Sequence, residues 1–284
     1  MKNLPGLALT AAATTTLLLS ACGGQDEPLN LTIPFKARVG LEPFACGQTY
    51  TGLGTTLTTY QPKDLRLYVH AVRLVDKDGK EVPVALEEDG AWQGDGVALL
   101  DFEDKTGLCA NGTEETRDII VGKVPRGSYT ALRFTVGVPF EKNHLAKETA
   151  KAPLGVSTLY WSWQGGYKFI RLDGATEGLP NGHAFHLGST LCETSAPNVV
   201  SACANSNRFD VEISGFDPEQ PSAVVLDVAA LLAGSNLDAN QPDTPAGCMA
   251  APTDGDCGPI FQRLGLPFGD APANAGGQVF FRKE

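Results

Sequence analysis

Between residues 129 and 138 the chain alternates with a period of two. Leu132, Phe134, Val136 and Val138 point one way, and Arg133 and Thr135 the other. Such a pattern has a single apolar side only if the backbone is extended with one face buried. Similar patterns run over residues 31–38, 64–75, 97–102, 118–121, 159–171, 183–187, 209–213 and 278–282. The 32 glycines and 19 prolines are spread between them, and long helical periodicity is hard to find. The one helical candidate, residues 223–232, could equally open as a strand through Val224, Val225 and Leu226 and turn helical at Ala229 to Leu232. The fold class expected is all-β: an antiparallel β-sandwich or open Greek-key barrel, one domain over residues 29–284 with disulfide-pinned loops.

The first residues read as an address. Met1-Lys2 is a short basic start, Leu7 to Leu19 an uncharged and largely apolar run, and Leu19-Ser20-Ala21-Cys22 a lipoprotein cleavage box. The run is long enough to enter an export pathway and too short to remain as a membrane helix. Residues 1–21 are therefore expected to leave as a signal peptide, with Cys22 as the lipid-bearing first residue and residues 22–28 as a polar tether. An exported protein, lipid-anchored in the periplasm or at the cell surface, is the consequence.

Six further cysteines remain: Cys46, Cys109, Cys192, Cys203, Cys248 and Cys257. An even number outside the cytosol reads as three disulfides, and no C-x-x-C suggests a redox or zinc-ribbon role. The preferred pairs are Cys192–Cys203 and Cys248–Cys257, close neighbours in loop-like sequence, which leaves Cys46–Cys109.

The formal net charge is −11 and no basic cluster occurs, so nucleic acid is excluded as a partner. A calcium site from Asp238, Asp243, Asp254 and Asp256 is conceivable by oxygen chemistry, but the spacing fits no EF-hand. Ser189 lies in Gly188-Ser189-Thr190 rather than a nucleophile elbow, and neither a phosphate-cradling glycine loop nor H-E-x-x-H appears. The chain is not expected to be an enzyme. Its four histidines, His70, His144, His183 and His186, are more informative, because imidazole suits copper. Past the leader only Met249 remains of the methionines, which excludes a methionine-rich copper carrier. His183, three residues before His186, should face the opposite side of a regular strand.

Residues 159–171 hold two of the three tryptophans, Trp161 and Trp163, between Tyr160 and Tyr167. If the stretch is extended, Leu159, Trp161 and Trp163 share a face and the two indoles lie roughly 7 Å apart. By itself this is a buried aromatic strand. As a surface feature it would be a stacking platform, which supports the alternative function, a ligand- or carbohydrate-binding surface lipoprotein.

The order of motifs narrows the choice. Phe140-Glu141-Lys142-Asn143-His144 is followed by Ala152-Pro153-Leu154 and then by Tyr160-Trp161-Ser162-Trp163-Gln164-Gly165-Gly166-Tyr167-Lys168-Phe169 with Arg171-Leu172-Asp173-Gly174. Phe185-His186-Leu187-Gly188-Ser189-Thr190-Leu191-Cys192 closes the series. This resembles the MbnP-like family, the four-cysteine proteins of metallo-mystery pairs. The likeness runs from Leu31-Thr32-Ile33-Pro34-Phe35 and Cys46-Gly47 onward. Leu191, where a small residue is expected, and the extra Cys248 and Cys257 depart from the pattern.

The resemblance implies an exported copper binder, with Cu(I) expected because an aromatic-rich site with few anionic ligands favours the lower charge. It implies a partner too, a di-haem MbnH-like protein similar to cytochrome c peroxidases, which oxidises one tryptophan to kynurenine. Carried over by motif, His144 and His186 become copper ligands, His70 a possible third, and Trp163, or else Trp161, the oxidised residue. The remaining tryptophan would then be a stepping stone for the electron hole.

Overall fold

The computed structural model describes Met1 and residues 27–284. The expected leader and the Cys22 lipidation point lie outside the described residues. Among those described, no helix is long and apolar enough to cross a membrane.

Two open sheets face each other. The smaller runs, in spatial order, through Phe281–Lys283, Val224–Asp227, Leu29–Val39, Ile119–Val124 and Ala85–Leu86. The larger runs through Phe209–Ser214, Tyr129–Val136, Thr58–Asp76, Ile170–Thr176, His183–Leu187 and Gly247–Cys248. Pairing is antiparallel except where Val224–Asp227 lies parallel to Leu29–Val39 and Gly247–Cys248 parallel to His183–Leu187.

Period-two patterning explains the layering. Leu31, Ile33, Phe35, Ala37 and Val39 turn inward from the first strand, and Leu132, Phe134 and Val136 from the facing sheet. Phe134 meets Phe35 and Phe281 edge to face at centroid distances of 5.7 and 5.5 Å, which ties the sheets together. The expected strand at residues 129–138 ends at Val136 because Gly137 takes φ +125°.

The 19-residue strand Thr58–Asp76 is buried on both faces from Asp64 to Val69. Leu65, Leu67 and Val69 enter the intersheet core. Asp64, Arg66 and Tyr68 project to the other face, where the segment after Val136 covers them: the Tyr68 hydroxyl donates to the Pro153 carbonyl at 3.2 Å, and its ring packs on Tyr167 at 5.7 Å. Beyond Tyr68 a bulge at Ala71, with φ +49°, shifts the pairing from His70 with Thr135 to Arg73 with Arg133.

The disulfides are Cys46–Cys109, Cys192–Cys203 and Cys248–Cys257. Residues 223–232 resolve as the strand Val224–Asp227 followed by the helix Val228–Leu232, whose first turn is capped by the Asp227 carboxylate accepting from the Ala230 amide at 3.0 Å. Two expectations need correction. Residues 278–282 form a strand only at Phe281–Lys283. The hairpin of Thr190–Ala196 and Val199–Asn205 occupies loop-like sequence, and the helix Cys257–Arg263 starts at the end of the other loop-like stretch. The hairpin strands are mostly exposed, so they lack the alternation that would announce them.

Candidate metal centre

The aromatic stretch is not one strand. Ser157–Leu159 is a 3-10 turn, Tyr160–Ser162 and Gly166–Tyr167 form a short hairpin, and the next strand starts at Ile170. Trp163 therefore sits in the hairpin turn and does not share a strand face with Trp161, contrary to the expectation above. The paired glycines are the reason. Gly166 adopts φ +75°, and a Cβ there would lie 2.2 Å from the Asn143 amide. The turn is closed by the Gly165 amide donating to the Ser162 hydroxyl at 3.0 Å.

Asn143 fastens this hairpin to the first histidine. It is fully buried at the end of the single helical turn Phe140–Asn143. Its carbonyl oxygen accepts from the Tyr167 amide at 2.9 Å, and its NH2 donates to His144 Nε2 at 3.2 Å. His144 Nδ1 in turn donates to the Trp163 carbonyl at 3.0 Å. One imidazole nitrogen is thus held by the Trp163 backbone, and the lone pair of the other accepts from Asn143. Burial pushes the His144 pKa below the usual imidazole value, with Arg208 adding repulsion. Arg208 lies 6.0 Å from the Phe140 ring centroid, and Phe140 packs on His144 at 5.2 Å.

Sulfur is close as well. Cys203 Sγ is 3.5 Å from His144 Nε2, and the ligand atoms of His144, Cys192 and Cys203 all fall within 4.8 Å of one another. Among the described residues no other such group of three or more histidine, cysteine or carboxylate residues occurs, so the four aspartates form no calcium cage. Asp238 is engaged by Thr56, Thr58 and the Gly178 amide, and Asp256 by the Gln241 amide. As a disulfide, the two sulfurs are poor ligands, since metals take thiolate.

His186 belongs to a second cluster. Its Nε2 pairs with Asp173 at 2.8 Å, Asp173 accepts from Arg171 Nε at 2.8 Å, and Arg171 also meets Asp64, which is forked onto Arg66. Burial opposes ionisation of Asp173, yet the hydrogen bond from His186, with Arg171, holds its carboxyl below the ordinary range. His186 Nδ1 is buried without a partner among the described residues. A carboxylate holding one nitrogen while the other is left open is the arrangement seen around metal-bound histidines. Two residues on, Gly188 receives the Trp161 ring; a Cβ there would be 2.4 Å from the indole. His144 is thus bonded to the backbone of Trp163, and the strand that carries His186 leads to the glycine that receives Trp161; both tryptophans are half-buried.

His70 and His186 do not meet. His186 pairs with Arg171 and Arg171 with Arg66, so His70 is two strands across and four residues along. Strand spacing and rise give roughly 16 Å between their Cα atoms, too far for two imidazoles on one ion. The His70 ring donates to the Gly137 carbonyl at 2.8 Å instead. His183 pairs with Gly174, and the regular strand turns it to the face opposite His186.

Sequence reasoning overlooked Asn143, Asp173 and the sulfurs. Asp64-x-Arg66 and Arg171-x-Asp173 did carry a signal: opposite charges two apart in apolar strands lie on one face and pair when buried. The approach of Cys203 to His144, 59 residues away, left none.

Comparison with known proteins agrees with this fold. No protein with a curated description matches. The solved structure of MbnP from Methylosinus trichosporium superposes with a TM-score of 0.78 at 29% identity, covering 90% of this chain and 98% of that one. The family model for MbnP matches residues 28–250. With that match spanning most of its length, the chain belongs to the MbnP family.

Proposed function

We propose that this protein is an exported, lipid-anchored copper binder whose site is completed when Trp163 is oxidised to kynurenine by a di-haem partner. The carrying observation is the bond from His144 Nδ1 to the Trp163 carbonyl, which fixes the imidazole beside that residue and leaves Nε2, which accepts from the Asn143 NH2, as the nitrogen an ion would take in place of that bond. His144 and His186 would hold the ion. The fit rests on the buried, unpartnered Nδ1 of His186 and on its carboxylate-fixed tautomer. His70 is left out, because the strand register keeps it from His186.

Imidazole and neutral oxygen or nitrogen donors suit copper without the anionic charge that magnesium or calcium demands. Ring opening of Trp163 turns a donor-only indole into an aryl amine and a ketone, both able to ligate or to accept hydrogen bonds. The oxidising equivalents would come from two peroxide molecules through the partner's haems: two oxygens would enter as the indole C2–C3 bond is cleaved, and hydrolysis would release the lost ring carbon as formate. Trp161, in contact with Gly188 and lining an open cleft of about 510 Å³, is the stepping stone by which a hole crosses from the surface. In this reading the chain is the partner's substrate and carries no catalysis of its own.

The test is co-production with and without the di-haem partner. The tryptic peptide ending at Lys168, which contains both tryptophans, should gain the mass of one ring carbon exchanged for oxygen, with fragment ions placing it on Trp163. Copper should co-purify only with the modified chain. Copper retained equally by chain with intact indoles would refute the role of the oxidation. Modified chain without copper would refute the site.

A further inference from the structure

We propose that His144, Cys192 and Cys203 form a redox-gated site for a soft, thiophilic cation, closed while the two sulfurs are joined and opened when a dithiol reduces them. This goes beyond the reading above and does not require either tryptophan to be modified.

Geometry carries the argument. Metal–sulfur and metal–nitrogen bonds of about 2.3 and 2.0 Å at a tetrahedral angle place the two ligand atoms about 3.5 Å apart. Cys203 Sγ and His144 Nε2 already stand 3.5 Å apart. Cys192 and Cys203 are directly opposite in the hairpin register, so both thiolates would stay on the same side as the imidazole after the bond opens. Nδ1 is committed to the Trp163 carbonyl, so Nε2 is the nitrogen that faces the sulfurs, and a cation would displace the Asn143 NH2 that donates to it. A water or a fourth protein donor would complete the shell.

Accessibility separates this disulfide from the other two. Cys46 and Cys109 are 8% and 1% exposed, and Cys248 and Cys257 are fully buried. Cys192 and Cys203 are only half-buried, in a two-stranded sheet that pairs with neither large sheet. Cys192 also lines the open cleft next to Trp161. Attack by an incoming thiolate needs such access.

The reductant is a protein dithiol of the thiol–disulfide oxidoreductase class. Its thiolate attacks one sulfur of the Cys192–Cys203 bond to give a mixed disulfide, and its second thiol displaces the protein sulfur. Two electrons pass to the cysteines, and the reductant leaves as its own disulfide. When a cation binds, the two thiol protons go to solvent.

The experiment uses the whole chain produced without its di-haem partner, so both indoles are intact. The protein is reduced with a phosphine, freed of it without oxygen, and titrated with Co2+, whose thiolate charge-transfer and tetrahedral d–d bands report the ligands. Alkylation and mass spectrometry should find Cys192 and Cys203 reduced and the other four cysteines still joined, with the far-ultraviolet dichroism unchanged. One equivalent of Co2+ should then bind with thiolate bands, be displaced by Zn2+, and be absent from the oxidised chain. Cys192→Ser with Cys203→Ser should abolish the bands, and His144→Gln should weaken binding at least tenfold while keeping sulfur bands.

The proposal is overturned by a selectively reduced chain that takes up no cobalt, by equal uptake in the cysteine variant, by unchanged affinity in His144→Gln, or by loss of dichroism on reduction. None of these outcomes bears on the kynurenine reading, which its own mass measurement decides.

Discussion

Asn143 is one buried carboxamide spanning the hairpin and the histidine, and its removal has a calculable cost. In Asn143→Ala the Tyr167 amide loses its acceptor at 2.9 Å, and Tyr167 is fully buried, so water cannot replace it. An unsatisfied buried donor costs about 1–3 kcal/mol. The bond to His144 Nε2 reaches a half-buried ring that water can approach, and its loss adds about 0.5–1 kcal/mol. The emptied space against Gly166 adds about 1 kcal/mol. The sum is about 2.5–5 kcal/mol, concentrated in the hairpin. Urea unfolding should show a lower midpoint, and hydrogen exchange should show protection lost first between Tyr160 and Tyr167. Asn143→Asp separates the terms. Its carboxylate still accepts from Tyr167, which restores that part of the stability, and it places negative charge beside Nε2. The His144 pKa, pushed down by burial in the natural chain, should then rise, which an NMR titration of the ring reads directly. An unchanged midpoint with full protection at Tyr167 in Asn143→Ala would refute the tether. A His144 pKa that stays put in Asn143→Asp would refute the contact with Nε2.

Three further outcomes are expected. Gly188→Ala puts a Cβ 2.4 Å from the Trp161 ring and 2.8 Å from the Tyr167 carbonyl, so the indole must move outward; about 1–3 kcal/mol of stability should be lost, with red-shifted tryptophan emission. Burial raises the Asp101 pKa to about 7, so the folded state holds a proton that the unfolded chain releases near 4. Stability from this group is present below the unfolded value and lost as pH rises towards 7. The stability of Asp101→Asn relative to the natural chain should accordingly climb between pH 4 and 8, and a difference independent of pH would contradict the burial argument. Cys46–Cys109 closes a separation of 63 residues and Cys192–Cys203 one of 11, so replacing the first pair by serine should cost about 1.5 kcal/mol more than replacing the second on loop entropy; equal midpoints in the two serine variants would contradict this.

Much of this molecule could be read locally. Leu132, Phe134 and Val136 announced a strand because a period of two depends only on neighbours. Cys192 with Cys203 and Cys248 with Cys257 were near enough in sequence to pair on spacing. The run from Trp161 to Tyr167 and the His186-Leu187-Gly188-Ser189-Thr190 segment were specific enough in order to indicate the family. Where the pattern was read as longer than the strand, glycine geometry intervened: Gly137 ended one strand, and Gly165-Gly166 folded the aromatic segment back on itself.

What the sequence could determine was thus the layer of short-range constraint, that is, which residues are extended, which faces are apolar and where the chain must turn. Only the tertiary structure decided that His144 is bonded to the Trp163 backbone, that His70 and His186 stand apart, and that Cys203 comes to rest against His144. The reason is physical. Alternation and turn chemistry act over a few bonds. Contacts between residues 59 apart exist only once two sheets have packed and the intervening loops have been drawn over their face.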